Sequence, residues 1–367
     1  MVAYGRSAAL DRWVTSNMLI LVVYLARTVI LAALVALAAI LALDLVFALA
    51  DGVADGDEST FDVLLAALLD APELAYEAFP FATLIGSLMG LGALAARQEL
   101  TAMRAAGVSV VQIAGAVMAG GLVLAVLASV VGEYVVPAAE RQMAAMQGAA
   151  EADELRTGPG GDLWARDGRD FLRAERPRSR SHLQSVTVFR FADGELTKRI
   201  GAEEAFYDNG SWRLEQVEVI SFDQQGVELE KLDSWRWPGE LRPDLLALVV
   251  ADPEKLPALE LWRYIRYLEN NDLDSAQYRL ALWEKIATPL ATLAMMLVTV
   301  PLVFTAVRSA GAGQRIVVGI LVGAAFFLVN RALGQAGIVY GLPPSVAALL
   351  PVVVFFIIGA VGVMRVR

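Results

Sequence analysis

Apolar sequence concentrated at the two ends of the chain is the strongest constraint on its fold. Runs of Ala, Leu, Val and Gly near 25–49, 76–96, 110–136, 283–306, 315–333 and 345–363 approach or exceed the roughly 20 residues that a helix needs to cross a hydrocarbon core. In that solvent every backbone N–H and C=O must be satisfied within the segment, so the runs read as helices. Hydrophobic residues make up 57% of the chain, yet residues 137–280 are ordinary in polarity. The expected architecture is therefore six transmembrane helices with a soluble domain inserted between spans 3 and 4. Residues 1–17 read as an N-terminal extension ahead of a start at Met18. Residues 18–136 carry spans 1–3, 137–280 the insert and 281–367 spans 4–6.

Prolines 72 and 80 interrupt the helical pattern of 61–96. The acidic stretch FDVLLAALLDAPELAYEAF thus reads as a surface helix ahead of span 2, and QAGIVYGLPP as a loop after span 5. Arginines set the orientation, because short cytoplasmic loops retain positive charge. Arg6 and Arg12, Arg97 and Arg104, Arg308 and Arg315, and Arg365 and Arg367 all fall on one side of a six-span arrangement. That side is the cytoplasm, with both termini on it. The acidic stretch DGVADGDES and the insert then lie outside.

The insert alternates with the period of a strand. DLWARDGRDFLRAE reads as two strands around Asp167 and Gly168, and VTVFRF-ADG-ELTKRI as a hairpin. EAFYD-NGS-WRLEQVEVISF repeats the pattern, and GVELEKLDSWRW reads as a further strand pair. This is an all-β domain: a sandwich, an open barrel or a jelly roll. Its flanks are helical. Residues 138–155 continue span 3 outward. PALELWRYIRYLENN is amphipathic, and it lies either along the membrane surface or against the β domain.

The chemistry available is narrow. There is no cysteine and one histidine, His182, which excludes thiolate chemistry and a multi-histidine metal site. A net charge of −10 excludes a nucleic-acid binder. No phosphate-binding GxxxxGK[ST] loop, HExxH motif or nucleophile elbow is present, so no catalytic residue is assigned and no ATP site of the familiar kind exists in the chain. Charges in or near spans mark function or pairing; here they are Arg27, Asp44, Glu133, Glu284, Lys285 and Arg331. The segment RQELTAMRAAGVSV, 97–110, is the one charged interruption between spans 2 and 3. It is either a solvated loop or a short rigid lever on the cytoplasmic face.

Four stretches resemble a known family: FPFATLIGSLMGLGALAARQELTAMRAAGVS, DLWARDGRDFLRAE, QYRLALWEKIATPLA and VYGLPPSVAALLP. The chain is similar to the LptF/LptG (YjgP/YjgQ) family of lipopolysaccharide export permeases from about Met18 onward, and the last three stretches favour the LptG branch over the paralogous LptF. The resemblance implies a jellyroll-like insert and a non-enzymatic permease subunit in a bacterial inner membrane. It pairs with LptF, works with an LptB dimer that binds ATP and Mg, and passes lipopolysaccharide to LptC and LptA. In that setting 97–108 is a coupling helix on the ATPase, with Arg97, Glu99, Arg104 and Gly107 in one short element. Spans 1 and 5 line a cavity for the lipid.

Candidate lipid-binding residues are then Asp44, Glu133, Arg141 and Arg331 in or near spans, and Phe189 and Phe206 in the insert. Val186, Val188, Phe191 and Phe222 are further candidate interior residues. Relatives place lysines near the outer end of span 1. This chain has Asp44 and Asp51 there, so phosphates would require Arg141, Arg331, the partner subunit or bridging divalent cations. A non-transporting envelope scaffold is the reading from a different class, and it predicts no ATPase contact.

Overall fold

The computed structural model describes residues 3–55, 60–151, 163–179, 181–192, 195–208, 210–223, 226–238, 252–305 and 311–366. In chain order the helices are α1 (Ala3–Asp55), α2 (Thr60–Ala96), α3 (Glu99–Ala105), α4 (Val110–Val130) and α5 (Val136–Glu151). Six strands follow: β1 (Leu163–Asp167), β2 (Asp170–Ser179), β3 (His182–Ala192), β4 (Glu195–Asp208), β5 (Ser211–Asp223) and β6 (Gly226–Trp237). The last helices are α6 (Ala258–Asn270), α7 (Ala276–Phe304), α8 (Ala312–Tyr340) and α9 (Pro344–Arg365). Two compact units result, one from 1–140 with 279–367 and the other from 141–278. Arg308, used above for orientation, and residues 56–59 and 152–155 lie outside the described residues.

In the helical unit, six helices are long and apolar enough to cross a membrane: Met18–Asp51, Phe61–Ala96, Val110–Met143, Ala276–Phe304, Ala312–Tyr340 and Pro344–Arg365. Small residues bring them together. A Cβ on Gly86 of α2 would strike the backbone of Ala32 and Ala33 on α1, so these two helices approach as closely as glycine permits. Ser87 on α2 and Thr299 on α7 share a buried hydrogen bond of 2.9 Å, a polar tie where no water competes.

Three boundaries differ from the sequence reading. α2 runs unbroken through Pro72 and Pro80, and the acidic stretch is part of it. Each proline removes one backbone donor, but Ala75, Ala78 and Phe79 beside them are buried, and packing holds the helix across the gaps. α8 continues through QAGIVY to Tyr340 and stops at Gly341, whose φ of 68° is left-handed. GVELEKLDSWRW is one strand, because β5 offers a partner along the whole of β6.

The β unit is a six-stranded antiparallel sheet in the order β1-β2-β3-β4-β5-β6. The inserted all-β domain expected from the sequence is present, and its connectivity is a meander. The strands are long and bent. Ser185 (φ 52°) and Gln216 (φ 53°) are left-handed, and at that level the ladder skips a pair from strand to strand. Alternation slips there by one residue. Leu183 and then Val186 and Val188 face the same core, as do Trp212 and Leu214 followed by Val217 and Val219. Both halves of each strand thereby enclose one hydrophobic centre.

α6 belongs to this unit. Tyr267 packs on the sheet core, and its hydroxyl donates to the Arg166 carbonyl at 2.6 Å. Asn271 accepts from the Gly168 amide at 2.6 Å. Of the two placements left open above, the helix takes the one against the sheet; its strongly amphipathic face buries Leu261, Ile265 and Leu268.

Candidate functional site

The segment after span 2 is built to be rigid. Gln98 adopts a left-handed conformation (φ 63°) that ends α2 and redirects the chain into α3. Leu100 is buried and Met103 packs on the helical core, which fixes one face of the short helix. Arg97 and Arg104 are exposed, and the Arg104 guanidinium lies 5.9 Å from the ring of Phe304 at the end of α7. Gly107, at φ 93°, makes a turn that a side chain would strain. Ser109 then caps α4 with Gln112 in a reciprocal capping box. Glu99 stands in the first turn of α3 and accepts a hydrogen bond of 2.6 Å from the Tyr24 hydroxyl on α1.

At the other ends of the spans, α4 passes through a π-helical turn at Val131–Val135 that contains Glu133. A π turn leaves carbonyls poorly matched within the helix. Lys285 of α7 donates to one of them, Gly132 O, at 2.9 Å, and stands 5.5 Å from the ring of Tyr76. Glu133 is half-buried beside this group. Asp44 on α1 and Arg331 on α8 are exposed on their helices, and Arg141 is exposed on α5.

In the β unit the outer face of β1–β4, turned away from the core, carries a cavity of about 740 Å³. Trp164, Phe171, Phe189, Phe191 and Leu196 form its walls, with Arg166 and Arg169 at its edge. Trp164 stacks on Phe189 at 6.2 Å, and Phe171 meets Phe191 edge to face at 5.5 Å. Arg166 lies over Phe171 and Arg173 over Trp164, at 5.2 and 5.8 Å. Phe189 is therefore in a cavity, as a ligand-facing residue would be. Phe206 is elsewhere, stacked on His182 at 4.3 Å. Val186 and Val188 are ordinary core.

A buried polar anchor holds the strands that carry these aromatics. Asp170, 6% exposed, accepts two hydrogen bonds from Arg190 at 2.7 and 2.6 Å and one from the Trp237 indole at 2.8 Å. These bonds tie β2, β3 and β6 together. The hydrogen bonds to Asp170 also raise the Arg190 guanidinium further above its already high range. Among the described residues no group of three or more His, Asp or Glu side chains could hold a metal ion.

A family model described as lipopolysaccharide export system permease LptF/LptG matches residues 23–365. The chain belongs to the LptF/LptG family. It is 32% identical over 355 residues to the lipopolysaccharide export system permease protein LptG of Escherichia coli strain K12, covering 93% of this chain and 97% of that protein. It is 33% identical over 306 residues to LptG of Haemophilus influenzae, covering 82% of this chain and 86% of the relative. Within the LptF/LptG family, the relatives it matches are LptG proteins.

Sequence reasoning missed part of this geometry. Trp164 and Phe171 alternate with buried Leu163, Ala165 and Leu172, so the second face of DLWARDGRDFL was legible as an aromatic surface. No local signal pointed to Tyr24, whose partner is 75 residues away.

Proposed function

We propose that this protein is the LptG-type permease subunit of an ATP-driven exporter that draws lipopolysaccharide from the outer leaflet of the inner membrane. The β insert lies in the periplasm and both termini in the cytoplasm, as the arginine distribution requires. LptF is the second permease, an LptB dimer binds ATP and Mg, and LptC and LptA receive the lipid. Glu99, with Arg97, Arg104 and Gly107, forms the element that docks on the ATPase.

The aromatic cavity on the insert carries this reading most directly. An acyl chain resists leaving the bilayer by about 0.8 kcal/mol per CH₂, so each chain must meet apolar surface as it leaves. Trp164, Phe171, Phe189 and Phe191 offer that surface, and Arg166 and Arg169 offer charge to phosphates at its edge. Its volume falls in the range of small-molecule pockets, which suits a station that shelters part of a lipid in passage. In the spans, exposed Arg331 on α8 and Arg141 on α5 are the phosphate contacts. Asp44 takes part through a bridging divalent cation, and Glu133 lies at the outer end of the path.

The test is site-specific photocrosslinking to lipopolysaccharide in the assembled complex, with probes at Asp44, Arg141, Arg331, Trp164 and Phe189. Adducts at span positions without ATP, moving to Trp164 and Phe189 with ATP, are the expected result. A complex that hydrolyses ATP but gives no adduct at any position would overturn the lipid path.

A further inference from the structure

Two of the six spans stand apart from the rest. The most apolar windows of α1 and α8 are each 17% buried within the chain, against 33% to 72% for the other four. Each packs within the chain on one side only, α1 against α2 and α4 and α8 against α2 and α9. Each is joined at one end to the region of the coupling segment.

On α1, beside its packing against α2 at Gly86 and Gly90, α3 itself is tied by one side-chain hydrogen bond. Tyr24 is 42% exposed, and its hydroxyl donates to Oε2 of Glu99 at 2.6 Å. A phenol donating to a carboxylate at that distance is a short, charge-assisted bond. It occupies one oxygen of Glu99 and leaves the other open to a cation from a docking partner.

On α8 the joint is a packed seam with α2, the helix that leads into α3. The seam is antiparallel. Phe81 of α2 meets Gly323 of α8, Ile85 and Leu88 meet Gly319, and the side chain of buried Arg315 lies against Gly92, where a Cβ would come within 2.6 Å of its Cδ and Nε. Displacement of α3 thus reaches α8 through packed side chains along α2. It reaches α1 through the packing of α2 on α1 at Gly86 and Gly90, and directly through Tyr24.

We propose that Tyr24 is a positioning residue for coupling. It aims the Glu99 carboxylate at the ATPase and ties the movement of α3 to α1. The inference rests on the permease reading above. It adds that force delivered to the coupling segment is shared between the two least embedded spans, and that the direct link from α3 to α1 is one removable hydroxyl.

The test compares wild type, Tyr24→Phe, Glu99→Ala and the double variant in the complete complex, reading lipid released per ATP hydrolysed. Tyr340→Phe, the same change at an 80% exposed position, is the control. Tyr24→Phe keeps the ring and its packing, so a loss of folded protein is not the expected route of failure; thermal melting of the complex is followed alongside. The expected result is a fall of about three- to tenfold in lipid released per ATP, the size set by one ordinary hydrogen bond at a partly exposed position. Adding Tyr24→Phe to Glu99→Ala should then change nothing further. Wild-type stoichiometry in Tyr24→Phe, or an equal additional loss in the Glu99→Ala background, would overturn the role of Tyr24 while leaving the permease reading intact. A wild-type chain that neither retains the ATPase nor releases lipid would overturn both.

Discussion

The helical unit and the β unit solve opposite packing problems. In the helical unit many large side chains point outward, although Leu25, Leu84, Leu88 and Leu124 are buried. Leu31, Val35 and Phe47 on α1 and Ile320, Leu321 and Leu328 on α8 are exposed, while Ala33, Ala82, Ser87 and glycines fill the contacts. Lipid is as apolar as leucine, so burying leucine gains little there, and close backbone approach gains more. The β unit does the reverse. Trp212 and Trp237 are fully buried, and the other face of the sheet mixes charged side chains with aromatic ones. Against that background Trp164, 52% exposed beside Phe189, stands out. An outward apolar side chain faces lipid in one unit, and beside Trp164 it forms the wall of the cavity proposed for the cargo in the other.

That contrast can be broken most severely at Gly86. Gly86→Leu should abolish accumulation of folded protein in the membrane, because the new side chain meets the backbone of α1, which cannot yield as a side chain would. Val35→Leu, at a 70% exposed position on α1, should leave accumulation and melting as in wild type. If both behave alike, the division between small-inside and large-outside is wrong for α1.

A smaller effect separates the two tryptophan environments of the β unit. Trp212→Ala should destabilise by about 3–5 kcal/mol, the usual range for removing a buried large aromatic. Trp164→Ala should change stability by less than about 1 kcal/mol and yet reduce lipid adducts at Phe189 severalfold. Chemical denaturation and crosslinking together read the two quantities. A stability loss at Trp164 as large as at Trp212 would make the cavity part of the core.

The smallest effect is in pH. Burial raises the Tyr267 hydroxyl from 10.0 to about 12, against the lowering influence of its bond to the Arg166 backbone. Tyr264 is raised as well, chiefly by burial. A raised folded value means that the unfolded chain loses its proton first. The stability contribution is therefore intact below about pH 10 and is lost as pH rises towards 12. Tyr267→Phe should flatten part of that loss, measured by the fluorescence of the sheet tryptophans during alkaline unfolding.

The membrane spans were legible because lipid imposes one rule on every residue of a run, so composition alone reports it. The β hairpins were legible for a similar reason. Asp-Gly and Asn-Gly turns and a period of two are local properties, and β1 to β5 follow them. Pro72 and Pro80 misled the reading of α2, since a proline signals the loss of one bond but says nothing of the packing that compensates it. The placement of α6 needed the sheet: its apolar face suits a membrane surface or a protein surface equally, and Tyr267 and Asn271 chose between them by finding backbone partners on β1 and its turn.

What the sequence determined by itself was the count of spans, the presence of an inserted β domain and the charged break at 97–108, all encoded within windows of twenty residues or fewer. Only the tertiary structure decided which aromatics share a cavity, that Phe189 joins it and Phe206 does not, and that Glu99 meets Tyr24. Those pairings depend on strand register and helix packing across long separations, where no periodicity in the chain records who the neighbour will be.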